Sequence, residues 1–165
     1  MSDEQQRSGD APRAEHVPAS DREIILTRVY NAPPERVFVA WTEQDRISRW
    51  WGPNGFTTTT FEMDVRPGGV WRFVMHGPDG TDYDNWIRYE VVERPRRLIY
   101  MHGESEGDPA AFHVTVTFEP VDGKTRITMR TLLRTPEQRA EAEGFGAIEL
   151  GIQTLEKLAT YLAGN

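Results

Sequence analysis

From Thr57 to Leu133 the chain repeats one device six times: a run that alternates apolar and polar residues, then a break rich in glycine, proline or aspartate. The runs are Thr57–Val65, Val70–His76, Thr81–Val92, Arg97–Gly103, Phe112–Pro120 and Lys124–Leu133. The breaks are Pro67-Gly68-Gly69, Gly77-Pro78-Asp79-Gly80, Arg94-Pro95-Arg96, Gly107-Asp108-Pro109 and Val121-Asp122-Gly123-Lys124. Period two belongs to a strand with one buried face, and the breaks carry turn chemistry. Connections this short leave no room for a crossover, so neighbouring strands run antiparallel. The resulting sheet has one apolar face that must be covered.

The cover lies at the C-terminal end of the chain. Phe145–Leu162 places Ile148, Ile152, Leu155, Ala159 and Leu162 at spacings of four and three, one apolar stripe on a helix of about five turns. Gly144, Gly146 and Gly151 sit near its start, where each lowers helix propensity by ~1 kcal/mol and permits close packing or a bend. Gly164 ends it, and Pro136 opens a separate helix before it, with Glu137 in the first turn.

Upstream, Asp21–Tyr30 reads as a first strand, broken by Asn31-Ala32-Pro33-Pro34. Pro34 fits the first turn of a helix, where its missing N–H costs nothing. Val37, Phe38 and Trp41 form one face of that helix. A second short helix is expected over Asp45–Trp51, with Asp45 as cap or first-turn acid. Trp50-Trp51-Gly52-Pro53-Asn54-Gly55-Phe56 then concentrates aromatic surface where helix hands over to sheet. With Trp71 one strand further on, it reads as a wall of an internal pocket.

The length of 165 residues suits one domain, and five Trp, five Tyr and seven Phe suffice for a core. Residues 1–20 offer almost nothing to bury and are expected to be a disordered tail including His16, leaving 21–165 as the domain. Acidic residues outnumber basic ones 26 to 19, which argues against nucleic-acid binding, since that needs a basic footprint. No apolar run reaches the roughly 18 residues of a membrane span. There is no cysteine, no apolar N-terminal leader and no histidine spacing suited to metal. A cytoplasmic protein without metal or cofactor is expected.

These elements predict an α+β fold: about seven strands in a strongly curved antiparallel sheet, wrapped around a long C-terminal helix, with two short helices after the first strand. Several motifs carry a resemblance in the same order. They are Ala32-Pro33-Pro34-Glu35-Arg36-Val37-Phe38, Ala40-Trp41-Thr42, Trp50-Trp51-Gly52-Pro53, Asp64-Val65-Arg66-Pro67-Gly68-Gly69-Val70-Trp71, Pro95-Arg96-Arg97-Leu98 and Gln153-Thr154-Leu155-Glu156-Lys157-Leu158-Ala159-Thr160-Tyr161-Leu162. Over roughly residues 21–163 the chain resembles the START-like (SRPBCC) helix-grip superfamily, and within it the bacterial homologues of the activator of heat-shock-protein-90 ATPase. That resemblance implies the helix-grip fold. Its members include carriers of hydrophobic ligands, polyketide cyclases, self-sacrifice resistance proteins and co-chaperone domains.

Alternation predicts which side chains face the helix. Trp71, Phe73 and Met75 share a face. So do Tyr83, Asn85, Ile87, Tyr89 and Val91; Leu98, Tyr100 and His102; Phe112, Val114, Val116 and Phe118; and Ile127, Met129 and Thr131. Trp86, His76 and His113 fall outside, and Glu149 lies on a solvated helix face. The expected ligand-binding set is Trp51, Trp71, Phe73, Met75, Asn85, Tyr89, Tyr100, His102, Phe112 and Thr131, an apolar lining with a few polar groups. The expected partner is a small apolar or aromatic ligand. A cyclase, dehydratase or hydrolase using His102 as general acid or base is the enzymatic alternative. A chaperone-linked interaction role is the third, and a homodimer through an exposed Trp86 is a further expectation.

Overall fold

The computed structural model describes residues 13–17 and 19–164. Eight strands follow one another as β1 (Glu15–Val17), β2 (Glu23–Tyr30), β3 (Thr57–Met63), β4 (Val70–His76), β5 (Asp82–Glu93), β6 (Arg97–Gly103), β7 (Phe112–Val121) and β8 (Lys124–Leu132). Helices α1 (Pro34–Thr42) and α2 (Gln44–Ile47) lie between β2 and β3, and α3 (Pro136–Gly144) and α4 (Ala147–Ala163) close the chain. The strands form one antiparallel sheet in the order β1-β2-β8-β7-β6-β5-β4-β3. Short turns make β3 to β8 a meander, and β2 returns to pair with β8 from Glu23↔Leu132 to Tyr30↔Thr125. The first long strand is thereby sealed against the last.

The sheet grips α4 from two sides. On the β2 side the Tyr30 hydroxyl donates to the Leu155 carbonyl at 2.9 Å. Arg28 Nε donates to Glu156 Oε2 at 2.8 Å. The helix approaches β2 so closely that a Cβ on Gly151 would stand 2.7 Å from Leu26 Cδ1. On the other flank Lys157 Nζ donates to the carbonyls of Pro53 and Phe56, each at 3.2 Å, and Asn54 N–H donates to Gln153 Oε1 at 3.1 Å. Between these ties Leu155, Leu158 and Leu162 are buried.

Rings fill the sealed part of the core. Trp51 stands edge-on to Trp71 at 5.2 Å, Trp71 stacks on Phe73 at 3.9 Å, and Trp41 contacts Trp50 at 5.0 Å. Such pairs add to the burial of their surface. Their polar N–H groups are provided for: Trp50 Nε1 donates to the Ala40 carbonyl and Trp71 Nε1 to Thr60 Oγ1, both at 3.0 Å.

Four expectations are corrected. The tail expected over 1–20 does not extend that far: Glu15–Val17 pairs with β2, Ala14 is buried, and its N–H donates to Glu156 Oε2 at 2.7 Å. Residues 1–12 lie outside the described residues. The sheet therefore has eight strands, and β1 escaped notice because a ladder of backbone bonds needs no apolar side chains. The second short helix stops at Ile47; Trp50 and Trp51 are carried by turn hydrogen bonds to the Ile47 carbonyl at 3.2 and 3.0 Å. A register shift between Tyr89 and Val91 turns Val92, not Val91, toward the core, since a bulge inverts every facing beyond it. Trp86 does lie on the outer face, paired across from Arg72. It is only 8% exposed, with the Arg88 guanidinium 5.7 Å from its ring, so it offers no free apolar contact.

Candidate functional site

From β4 to β8 the concave face passes from sealed to accessible along each strand, always toward the same end, whereas on β2 Ile24, Leu26 and Tyr30 all stay buried. On β4 Trp71 and Phe73 are buried and Met75 is half-buried. On β5 the order from the inside is Tyr89 and Ile87 buried, Asn85 half-buried, Tyr83 exposed. On β6 Leu98 and Tyr100 are buried and His102 is half-buried. On β7 Phe118, Val116 and Val114 are buried and Phe112 is half-buried; on β8 Ile127 is buried, Met129 and Thr131 half-buried. The antiparallel register brings these outer positions to one end of the sheet, with His102 opposite both Phe112 and Ile87, and Ile87 opposite Trp71.

Helix α4 shows the same gradient. Ile148 and Ile152 in its first half are half-buried, whereas Leu155, Leu158 and Leu162 are sealed. Just before it, Gly146 adopts a left-handed conformation (φ 86°) that breaks the expected continuous helix from Phe145. Phe145 itself is 84% exposed. Sequence reasoning had not placed Ile148 and Ile152 at the less covered end. Their signal was the glycine cluster, which marked a bend without saying where it opened.

The ten expected site residues thus divide. Trp51, Trp71, Phe73, Tyr89 and Tyr100 are buried among other rings, and the depth of the expected hollow is filled by them. Met75, Asn85, His102, Phe112 and Thr131 border the accessible end. Tyr83, expected inward, is 47% exposed and tilts against Phe56 at 6.0 Å, because the β4–β5 hairpin outruns the helix that would cover it. His76 and His113 are outside as expected; His76 contacts Asp82 Oδ1 at 2.7 Å and His113 lies 3.4 Å from Glu90.

One polar pair stands among the half-buried residues. His102 Nε2 lies 2.7 Å from Asn85 Oδ1, and Asn85 Nδ2 donates to the Tyr83 carbonyl at 3.1 Å. The imidazole is bordered by Phe112 at 5.2 Å, Phe73 at 6.2 Å and Tyr100 at 6.5 Å between ring centroids. Burial among these rings lowers the His102 pKa to about 4, so the ring is neutral near pH 7. Burial likewise raises the Tyr89 and Tyr100 phenols above their ordinary value. The Tyr100 hydroxyl has no hydrogen-bond partner among the described residues.

The site is therefore a concave, largely apolar end bordered by a neutral histidine, with the Tyr89 and Tyr100 phenols sealed behind it. Among the described residues no three histidine, aspartate or glutamate side chains are grouped to hold a metal, and no helix is long and apolar enough to cross a membrane.

Residues 31–163 match the model of a family described as activator of Hsp90 ATPase homolog 1-like protein. The chain belongs to this family. No curated protein matches it. Among solved structures, this Hsp90-ATPase-activator-like chain is similar to a protein from Rhodobacter sphaeroides at 25% identity and a TM-score of 0.84, over 93% of this chain and all of that one (100%). It is similar in fold to a protein from Arthrobacter aurescens at 24% identity and a TM-score of 0.83, over 90% and 91% of the two chains. A third similar structure is the AHSA1 protein from Silicibacter pomeroyi, 26% identical with a TM-score of 0.71 over 86% and 97% of the chains. The helix-grip architecture is thus that of the family.

Proposed function

We propose that this domain binds a small, mostly hydrophobic molecule between the sheet and α4, at the open end bordered by Met75, Asn85, His102, Phe112 and Thr131. The observation that carries the reading is the shared burial gradient: five strands and the helix all lose cover toward one end. Apolar concavities with a few placed polar groups are the usual form of small-molecule sites. The buried rings behind them, Trp71, Phe73, Tyr89 and Tyr100, form a rigid floor that keeps the apolar surface preorganised.

The acid–base reading of His102 is disfavoured. A ring whose pKa falls to about 4 holds no proton to donate near neutrality, and is a weak base there. Binding without turnover is the reading that its environment supports.

The test is a thermal-shift screen of a lipid and aromatic library. A ligand at 100 times its dissociation constant stabilises by roughly 2.7 kcal/mol, a rise of several degrees for a domain of this size. Thr131→Trp, placed to fill the half-buried end, should abolish the shift without lowering the melting temperature. A library without a hit, or a hit indifferent to Thr131→Trp, overturns the proposal.

A further inference from the structure

The outer face of the sheet, opposite α4, carries a groove of about 530 Å³, the size of a small-molecule site. Phe61 and Glu62 on the edge strand β3 form one wall. Val70, Arg72 and Val74 on β4, with Asp84 and Trp86 on β5, form the floor, and Glu104-Ser105-Glu106 form the far wall. That far wall is built by a glycine. Gly103 lies directly across from Trp86, and a Cβ there would stand 3.0 Å from Asp108 Cβ. The β6–β7 loop therefore folds back against the sheet, where a side chain would hold it off. Asp108 fixes the loop: its carboxylate accepts from the Glu104 N–H at 2.9 Å and the Ala110 N–H at 2.8 Å. These bonds hold its carboxyl below the usual carboxylate range, and the wall is preorganised.

The groove is short of cations. Four carboxylates, Glu62, Asp84, Glu104 and Glu106, border it with one guanidinium, that of Arg72. Arg72 already pairs with Glu62 at 3.5 Å and lies 5.2 Å from the Phe61 ring. Among the described residues Asp84, Glu104 and Glu106 take part in no ion pair. Arg88, beside the Trp86 ring, offsets one of the three negative charges in excess and leaves two. Among the described residues no three acidic side chains are grouped to hold a metal ion, so the excess is spread along the groove and suits an extended cation. Trp86 is more than nine-tenths buried. Unlike those of Trp50 and Trp71, its N–H has no acceptor among the described residues, and an indole N–H can only donate. The exposed Phe61 and the half-buried Val70 and Val74 supply apolar contact.

We infer that this groove binds a small organic cation: an amine on an apolar body that carries a hydrogen-bond acceptor. The ammonium faces the carboxylates of Asp84, Glu104 and Glu106, the body lies against Phe61, Val70 and Val74, and the acceptor takes the Trp86 N–H. A neutral alcohol of the same shape forgoes the charge attraction, and a carboxylate is repelled. The groove lies on the other side of the sheet from the open end proposed above and does not rest on that reading.

The test titrates the full chain calorimetrically, near neutral pH and at low salt, with methoxyphenethylamine, the corresponding alcohol and the corresponding carboxylate. The amine should bind about tenfold more tightly than the alcohol, the combined effect of a few exposed ion contacts, and the carboxylate should not bind. The double variant Glu104→Gln, Glu106→Gln should weaken the amine about fivefold. It should leave the alcohol and the melting temperature unchanged, since both side chains are exposed and neither forms an ion pair. Glu137→Gln with Glu141→Gln, two exposed acids of α3, changes the net charge equally and should leave the amine unaffected. In nitrogen–proton spectra the amine should move the Trp86 indole N–H and leave those of Trp50 and Trp71 in place. Equal weakening by the two double variants means that the general charge of the chain attracts the cation, and overturns the inference. So does an amine that binds no more tightly than its alcohol, one that leaves the Trp86 resonance in place, or the absence of binding. A library without a hit at the open end leaves this inference standing.

Discussion

His102 Nε2 and Asn85 Oδ1 stand 2.7 Å apart at the boundary between the sealed and the open parts of the concave face. The amide is held in turn by the Tyr83 carbonyl, so the pair defines one tautomer of one histidine. Nitrogen NMR of the ring should find the hydrogen on Nε2 across the neutral range. In Asn85→Ala that preference should relax toward a mixture, and urea unfolding should register a loss of about 1–3 kcal/mol, the cost of leaving a half-buried ring nitrogen unsatisfied. A tautomer indifferent to Asn85 would mean the contact is incidental.

Stability should depend on pH through the same ring. The folded pKa is lowered to about 4 from an ordinary 6.5 by burial. Between those values the unfolded chain takes up a proton that the native protein refuses, so stability is fully present above 6.5 and is lost as pH falls toward 4. At about 1.4 kcal/mol per unit the loss is at most on the order of 3 kcal/mol, lessened by the solvent that reaches a half-buried ring. Urea midpoints between about pH 7 and pH 4 should fall more steeply for the native protein than for His102→Gln. Parallel curves would exclude His102 as the source.

Arg28 and Glu156 form a second relationship whose energetics are opposed. Arg28 is 7% exposed and holds both carboxylate oxygens, at 2.8 and 3.1 Å. Removing one partner strands the other charge, so Glu156→Ala should cost about 3 kcal/mol, the lower end of the range for a buried pair because Glu156 keeps some exposure. Replacing both by leucine should cost much less, since desolvation then disappears together with attraction. Chemical denaturation of both variants decides it: equal losses would mean that packing, not stranded charge, sets the cost. Glu156→Ala should also speed amide exchange at Ala14, whose N–H the carboxylate accepts.

The strands were legible because one face of each is dry, and alternation reports that directly. Trp71, Phe73 and Met75 on β4, and Leu98, Tyr100 and His102 on β6, lie where their period places them. Val91 failed because the bulge beside it inserts a residue without any sign in the composition. Arg28 was illegible for a different reason: a charge in a strand reads as solvent-facing, and its partner Glu156 is 128 residues away. The candidate site was legible as a face but not as a depth. Nothing in the run from Phe112 to Phe118 says that Val114 is sealed and Phe112 is not; alternation reports which face a residue is on, not how far along the sheet its cover extends.

The adjacent glycines of the β3–β4 turn should respond differently to the same substitution. Gly68 has a left-handed backbone (φ 86°) and open space where a side chain would project. Gly68→Ala should therefore cost only the strain of that conformation, about 1–2 kcal/mol. At Gly69 a Cβ would stand 2.0 Å from the Asp64 carbonyl oxygen. That obstacle is backbone within the same turn, which cannot rotate away as a side-chain tip can. The turn is also moored to the site: Gly68 N–H donates to the Tyr89 carbonyl at 2.7 Å and Tyr89 N–H donates to the Gly69 carbonyl at 2.9 Å, and the Tyr89 ring meets Tyr100 edge-on at 6.0 Å. Gly69→Ala must open the turn, so it should cost about 3 kcal/mol or more and weaken any ligand held at the open end in front of these rings. Urea unfolding of the two variants, paired with titration of one hit from the library, checks both halves. If Gly68→Ala and Gly69→Ala lose the same stability, the close approach to Asp64 is not what selects glycine here.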